Sequence, residues 1–79
     1  MLPALLYGHV IKSKNDNLIH KKFEFLLVNQ FDERDWFCLC KPLKKIEAGS
    51  EIYFSNKLYA QILKKEEKGI ILRFEFNFK

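Results

Sequence analysis

The chain has few of the residues from which active sites are usually built. Its 79 residues include three glycines, far apart at positions 8, 49 and 69, so no glycine-rich loop is available to hold a phosphate. The two histidines, His9 and His20, lie in different segments, and neither stands near a nucleophile or a set of metal ligands. We therefore assign both histidines structural roles, and predict no catalytic residue and no metal site.

The cysteines and the apolar runs exclude further classes. Cys38 and Cys40 are one residue apart, which is neither the Cys-x-x-Cys spacing of a redox motif nor a ligand set for zinc. On a strand, this spacing places both side chains on one face. We expect two buried, reduced thiols and, from them, a cytoplasmic protein. No apolar run approaches the ~20 residues of a membrane helix, so we expect no membrane partner.

What the chain does contain is enough for one small folded domain over residues 1–79. Hydrophobic residues make up 48% of it, including eight phenylalanines, and such a composition excludes disorder. The formal charge is +4, from 14 basic and 10 acidic residues. That charge permits a nucleic-acid partner, but it is also the charge of an ordinary solvated surface.

Short segments of alternating hydrophobicity predict an all-β fold. The expected strands cover residues 4–11, 23–28, 36–41, 51–54, 58–63 and 70–78, with Gly8 as a possible bulge in the first. Pro42 should end or bend the third strand, because proline cannot donate to a ladder. Propensity alone would also allow a helix over 58–67, but the alternation there favours a strand. We predict a small antiparallel barrel of about six strands.

Lys41, Lys44 and Lys45, on either side of Pro42, are the best candidates for a binding site. Lysines contact phosphates without reading sequence, which suits a nucleic-acid backbone. The same three lysines are equally expected in a solvated loop, so both interpretations stay open.

Aromatic side chains near these lysines could stack on an unpaired base, and Trp36 and Tyr53 are the ones we consider. Trp36 alternates in phase with Cys38 and Cys40, which favours a core position for it. Phe74, Phe76 and Phe78 form a second aromatic stripe on the last strand. If Phe78 is exposed, that stripe marks a surface that meets another domain.

Several segments, taken in order, resemble one enzyme family. They are Leu2-Pro3-Ala4-x-Leu6-Tyr7-Gly8, Lys22-Phe23-Glu24-Phe25-Leu26-Leu27, Trp36-x-x-x-x-Lys41-Pro42-x-Lys44-Lys45-Ile46-x-x-Gly49, Ile52-x-Phe54 and Leu58-x-Ala60-x-Ile62. Their order and spacing resemble the inserted β-barrel domain of S-adenosylmethionine:tRNA ribosyltransferase-isomerase, an enzyme of queuosine biosynthesis. Leu5 stands where the family usually has arginine, and Ile19-His20-Lys21 replaces an expected Gly-Gly pair, so no catalytic residue is carried over.

The resemblance implies a cytoplasmic, two-domain enzyme whose α/β catalytic domain is interrupted by the barrel. That family transfers and isomerises the ribosyl part of S-adenosylmethionine onto a deazaguanine base in tRNA, and consumes S-adenosylmethionine as a cosubstrate. The expected partners are then tRNA and a separately encoded remainder of the catalytic domain, with no cofactor bound by this fragment, which we expect to be inactive alone. The alternative is a freestanding barrel that binds tRNA or another nucleic acid without catalysis.

Overall fold

The chain forms six β-strands. A computed structural model describes residues 4–55 and 58–76, and its strands are β1 (Leu5–Lys12), β2 (Lys22–Gln30), β3 (Asp35–Lys41), β4 (Glu51–Ser55), β5 (Leu58–Lys65) and β6 (Ile70–Phe76). Two short 3-10 helices, Asp16–Leu18 and Leu43–Lys45, interrupt the loops that follow β1 and β3. The helical alternative for 58–67 is wrong, because residues 58–65 form β5. In the part that the structure describes, no helix is long and apolar enough to cross a membrane.

The strands close into an antiparallel barrel in the order β1-β2-β3-β6-β5-β4, which confirms the predicted all-β barrel. Four of the six pairings join strands that are consecutive in sequence, and the pairs β3–β6 and β1–β4 close the ring. Closure pairs both sides of every strand, so no edge of the sheet is left open among the described residues.

The interior is filled by the inward-facing residues of every strand, because side chains alternate between the two faces with a period of two. Two loop residues, Leu18 and Ile46, are also buried and cover one end of the barrel. The buried strand residues are Val10, Phe23, Phe25, Leu27, Cys38, Cys40, Ile52, Ala60, Ile62, Ile70, Leu72 and Phe74. These buried residues therefore form one continuous hydrophobic core.

Cys38 and Cys40 are confirmed as buried residues and are not joined in a disulfide. They point into the barrel from β3, where few groups can stabilise a thiolate. Burial raises the pKa of each thiol to about 12. Both side chains are thus protonated at neutral pH and act as small apolar residues.

The bulge expected at Gly8 is not there. β1 pairs with β2 without interruption around Gly8, and the register of β1 shifts only later, between Val10 and Lys12, against β4. Gly8 instead permits a close approach of β4. A Cβ atom at this position would lie 2.6 Å from Cγ2 of Ile52 and 2.9 Å from two ring atoms of Phe54.

The last strand confirms the predicted alternation as far as it is described. Leu72 and Phe74 are buried, whereas Arg73 and Glu75 face outward. Phe78 and the side chain of Phe76 lie outside the described residues, so a surface marked by an exposed Phe78 stays a prediction.

Antiparallel order gives the barrel two distinct ends. The lysine end carries loops 13–21, 42–50 and 66–69 together with the adjoining strand ends. The acidic end carries the turn 31–34, the start of β1 and the end of β6. Ala4 and Phe76, the outermost described residues, therefore lie at the acidic end.

Candidate nucleic-acid interface

Charge is divided unequally between the two ends. The lysine end carries ten lysines and six carboxylates, a net charge of +4, whereas the described part of the acidic end carries two arginines and four carboxylates, a net charge of −2. All ten lysines are exposed, and they are Lys12, Lys14, Lys21, Lys22, Lys41, Lys44, Lys45, Lys64, Lys65 and Lys68. A polyanion is therefore attracted to the lysine end of the barrel.

The sequence-predicted lysines all lie at the lysine end. Lys41 is the last residue of β3, and a cis peptide bond joins it to Pro42, where pairing stops as predicted. Lys44 and Lys45 follow on the 3-10 helix, whose Lys45 N–H donates to the Pro42 carbonyl at 3.3 Å. The fully buried Ile46 anchors the far side of this turn in the core, so the three ammonium groups are left in solvent.

A groove separates this turn from loop 13–21, which connects β1 and β2. Its volume is about 660 Å³, and it lies between the two loops that cover this side of the barrel. The groove is lined by Asn15, Asn17, Leu18, Lys21, Lys22, Phe23, Pro42, Lys44, Lys45 and Glu47. Lysines thus stand on both walls, and Glu47 is the one carboxylate among the lining residues.

Backbone contacts fix the second wall. His20 has a φ of 72°, a left-handed conformation that is uncommon for a residue other than glycine. Its N–H donates to the Val10 carbonyl at 2.8 Å, and the Val10 N–H donates to the Lys21 carbonyl at 3.0 Å. The Lys21 N–H in turn donates to the Leu18 carbonyl at 2.9 Å. Lys21 is therefore held against the end of β1, facing the 3-10 turn.

A second groove, of about 610 Å³, continues from the first along the outer face of β1, β2 and β3. Tyr7, Glu24 and Lys41 are paired in register across these three strands. Tyr7 is 49% exposed, and the Lys22 ammonium lies 5.0 Å from the centre of its ring. An aromatic ring, a carboxylate and two ammonium groups therefore share one outer surface.

The aromatic residues considered from the sequence lie elsewhere. Trp36 is near the opposite end of β3, where it packs against the core, and five residues of strand place it about 17 Å from Lys41. Tyr53 is on β4, across the barrel from β3, with its ring 5.1 Å from that of His9. The expectation of a core position for Trp36 is consistent with this packing, and Tyr7 is the aromatic residue that the fold places beside Lys41.

The acidic end has a structural ion pair. The Arg73 guanidinium donates from Nε and Nη2 to the two carboxylate oxygens of Asp35, at 2.9 and 3.1 Å. This contact lowers the pKa of the Asp35 carboxyl below its usual range. The pair joins β3 to β6, one of the two pairings that close the ring. Among the described residues, no three His, Cys, Asp or Glu side chains come together as possible metal ligands.

Comparison with known proteins gives relatives that extend well beyond this chain. No family model matches the sequence. The S-adenosylmethionine:tRNA ribosyltransferase-isomerase of Finegoldia magna is 35% identical over 77 residues, which are 96% of this chain and 20% of that protein. The enzyme of the same name from Staphylococcus aureus is 33% identical over 70 residues, which are 87% of this chain and 19% of that protein.

A solved structure agrees with these relatives. The crystal structure of the S-adenosylmethionine tRNA ribosyltransferase from Thermotoga maritima matches with a TM-score of 0.73 and 29% sequence identity, over 90% of this chain and 22% of that one. The chain thus spans about one fifth of the length of the relatives that it matches. Over nearly all of its length the chain is therefore similar to one β-barrel segment of S-adenosylmethionine:tRNA ribosyltransferase-isomerases, as the order of its motifs indicated.

Proposed function

We propose that this chain is the β-barrel part of a tRNA ribosyltransferase-isomerase, that it helps to bind tRNA, and that it does not transfer ribosyl groups alone. The observation that carries this proposal is the coverage of the relatives. Residues similar to this chain make up 20% of the Finegoldia magna enzyme, whose name gives S-adenosylmethionine and tRNA as its substrates. In this proposal the other four fifths supply the groups that bind and consume S-adenosylmethionine.

The lysine end supports the tRNA-binding part of the proposal. Lys44 and Lys45 stand on one side of the first groove, and Lys21 and Lys22 stand on the other. Lys41 lines the second groove, which continues from the first. Exposed ammonium groups on two facing walls suit a phosphodiester backbone, which carries a charge at every nucleotide and needs no sequence-specific contact.

The position of the outermost residues fits this arrangement. Ala4 and Phe76 both lie at the acidic end, so flanking segments of a longer protein would connect there. The lysine end would then remain available for RNA. In this proposal the remainder of the enzyme is the protein partner, whether it is in the same chain or separately encoded, and the complex acts in the cytoplasm.

Two measurements test the proposal. The purified 79-residue chain is incubated with precursor-bearing tRNA and S-adenosylmethionine, and we expect no modified nucleoside by mass spectrometry. Turnover by this chain would overturn its assigned inactivity. Fluorescence anisotropy with a labelled anticodon stem-loop at low salt should show binding, and a flat titration at the lowest salt would overturn the RNA-binding role.

The second candidate is a freestanding barrel that binds nucleic acid without belonging to an enzyme. The concentration of ten exposed lysines at one end favours it, because that feature needs no partner domain. Adding a separately produced polypeptide with the remaining segments of a relative distinguishes the two candidates. Restored turnover supports the enzyme part, whereas full RNA binding with no association between the two polypeptides supports the freestanding barrel.

A further inference from the structure

We propose that Tyr7 is the stacking platform of a site for one unpaired nucleotide of the bound RNA, with Lys22 and Lys41 holding the adjoining phosphates. This inference rests on the proposed function, because it assumes an RNA partner. It adds a location and a conformation, since the nucleotide must be out of its helix to reach the ring.

The exposure of Tyr7 is the first observation. Gly8 and Val10 are buried, so the alternation of β1 places Tyr7 on the outer face of the barrel. There the residue is 49% exposed and lines both the second groove and an adjoining hollow beside His9 and His20. An aromatic side chain in a basic groove offers a π-face to any base, which is how many proteins hold unpaired nucleotides.

The groups around the ring match the other parts of a nucleotide. The Lys22 ammonium lies 5.0 Å from the ring centre, and such an exposed cation–π contact is weak enough to be exchanged for a phosphate. Lys41 lies two strands away in the same lateral row. Phosphates on both sides of one stacked base would therefore each meet an ammonium group.

Glu24, a half-buried residue, lies between Tyr7 and Lys41 in that row. A carboxylate repels phosphate, so its presence argues against a site for backbone alone. It accepts hydrogen bonds from the amino groups of base edges, as acidic side chains do from cytosine. The groove volume of about 610 Å³ falls within the range of small-ligand sites.

Base-paired RNA cannot use this site. In an A-form duplex the base faces are covered by their neighbours, and proteins reach mainly phosphates and 2′-hydroxyls. A ring that contacted only a duplex backbone would add little affinity. Tyr7 therefore distinguishes looped from paired RNA, whereas the lysines bind both.

The test uses the 79-residue chain with two labelled RNAs of equal phosphate number, a stem-loop and a blunt duplex. We expect Tyr7→Ala to weaken binding of the stem-loop roughly 5- to 100-fold and to change duplex binding less than about twofold. Tyr7→Phe keeps the ring and should match the wild type with both RNAs. The matched control is Tyr59→Ala, which removes a half-buried tyrosine from the outer face of β5 and should change neither affinity.

The outcomes separate this site from the proposed function. If the wild-type chain binds neither RNA, the RNA-binding function fails and the nucleotide site fails with it. If the wild type binds both RNAs and Tyr7→Ala affects them equally, or affects neither, only the nucleotide site is overturned. Circular dichroism checks the fold of each variant, and Tyr7→Leu, which keeps apolar bulk at the position, should show the same selective loss if Tyr7→Ala does not fold.

Discussion

The groove at the lysine end makes a quantitative prediction about salt. Each phosphate that a lysine neutralises contributes about 0.7 to 0.9 to the slope of log affinity against log salt. Five lysines, at positions 21, 22, 41, 44 and 45, line the two grooves. If each meets one phosphate, the slope is about −3.5 to −4.5, and raising salt from about 50 to about 200 mM weakens binding roughly 100- to 500-fold.

The perturbation is the double substitution Lys44→Gln, Lys45→Gln. Both side chains line the first groove and neither makes an ion pair among the contacts that the structure describes, so the fold should be unaffected. Removing two contacts should reduce the slope by about 1.4 to 1.8. The same increase in salt should then weaken binding only about 20- to 40-fold.

The matched control is Lys64→Gln, Lys68→Gln, which removes the same charge from the same end. Lys64 is the penultimate residue of β5 and Lys68 lies in the turn to β6, on the side of the barrel away from loop 13–21. Anisotropy titrations of an anticodon stem-loop over several salt concentrations give both slopes. We expect the control to keep the wild-type slope. Equal reductions in the two variants would refute the reasoning, because they would show that RNA responds to the general field of this end and not to the groove.

Three further predictions concern the barrel itself. Gly8→Ala should lower the free energy of unfolding by about 1 to 3 kcal/mol in urea titrations, because its Cβ would overlap with side chains of β4; unchanged stability would mean that the strands separate at no cost. The thiols of Cys38 and Cys40, with the pKa of each raised from 9.0 to about 12, bind protons more tightly in the folded state. The thiols' contribution to the free energy of unfolding should therefore be intact below pH 9 and fall as pH rises toward 12, by roughly 1.4 kcal/mol per pH unit for each thiol. Thermal unfolding that showed no change over this pH range would contradict their burial. Arg73→Lys removes the forked contact that holds the pKa of the Asp35 carboxyl below its usual range, so that pKa should rise in an NMR titration. A pKa that did not move would show that this contact does not cause the lowering.

The strands could be predicted from local sequence, because alternation is a local property. Leu72 and Phe74 alternate with charged residues, and β6 follows that pattern through its described length. The order of the strands in the ring could not be read in this way. The pairing of β3 with β6 brings Trp36 opposite Leu72 and depends on closure of the whole sheet. The bulge predicted at Gly8 was wrong for a related reason. The contact that requires glycine there comes from β4, which is distant in sequence.

The candidate site was predicted only in part. Lys41, Lys44 and Lys45 are adjacent in sequence and share one turn, so their joint exposure could be anticipated. Tyr7 lies on β1, and Lys21 and Lys22 lie just before and at the start of β2. No local signal in the sequence connects these three residues to the turn after β3. Trp36 shows that closeness in sequence is not closeness in space. It is close to Lys41 in sequence, but an extended strand separates residues by about 3.3 Å each, so five positions carry it out of reach.

The positions of β1 and β6 in the ring have a mechanical consequence. β1 and β6 stand opposite each other in the ring of six, and Ala4 and Phe76 are both at the same mouth. A longer protein carrying this barrel would join it at two points across one diameter. A domain joined to its host by one connection can rotate about it. Two connections on opposite sides of the barrel resist every rotation except the one about the line that joins them. The seven residues of β6 span about 23 Å, so RNA docked at the far mouth would be held at a set distance and tilt from the host.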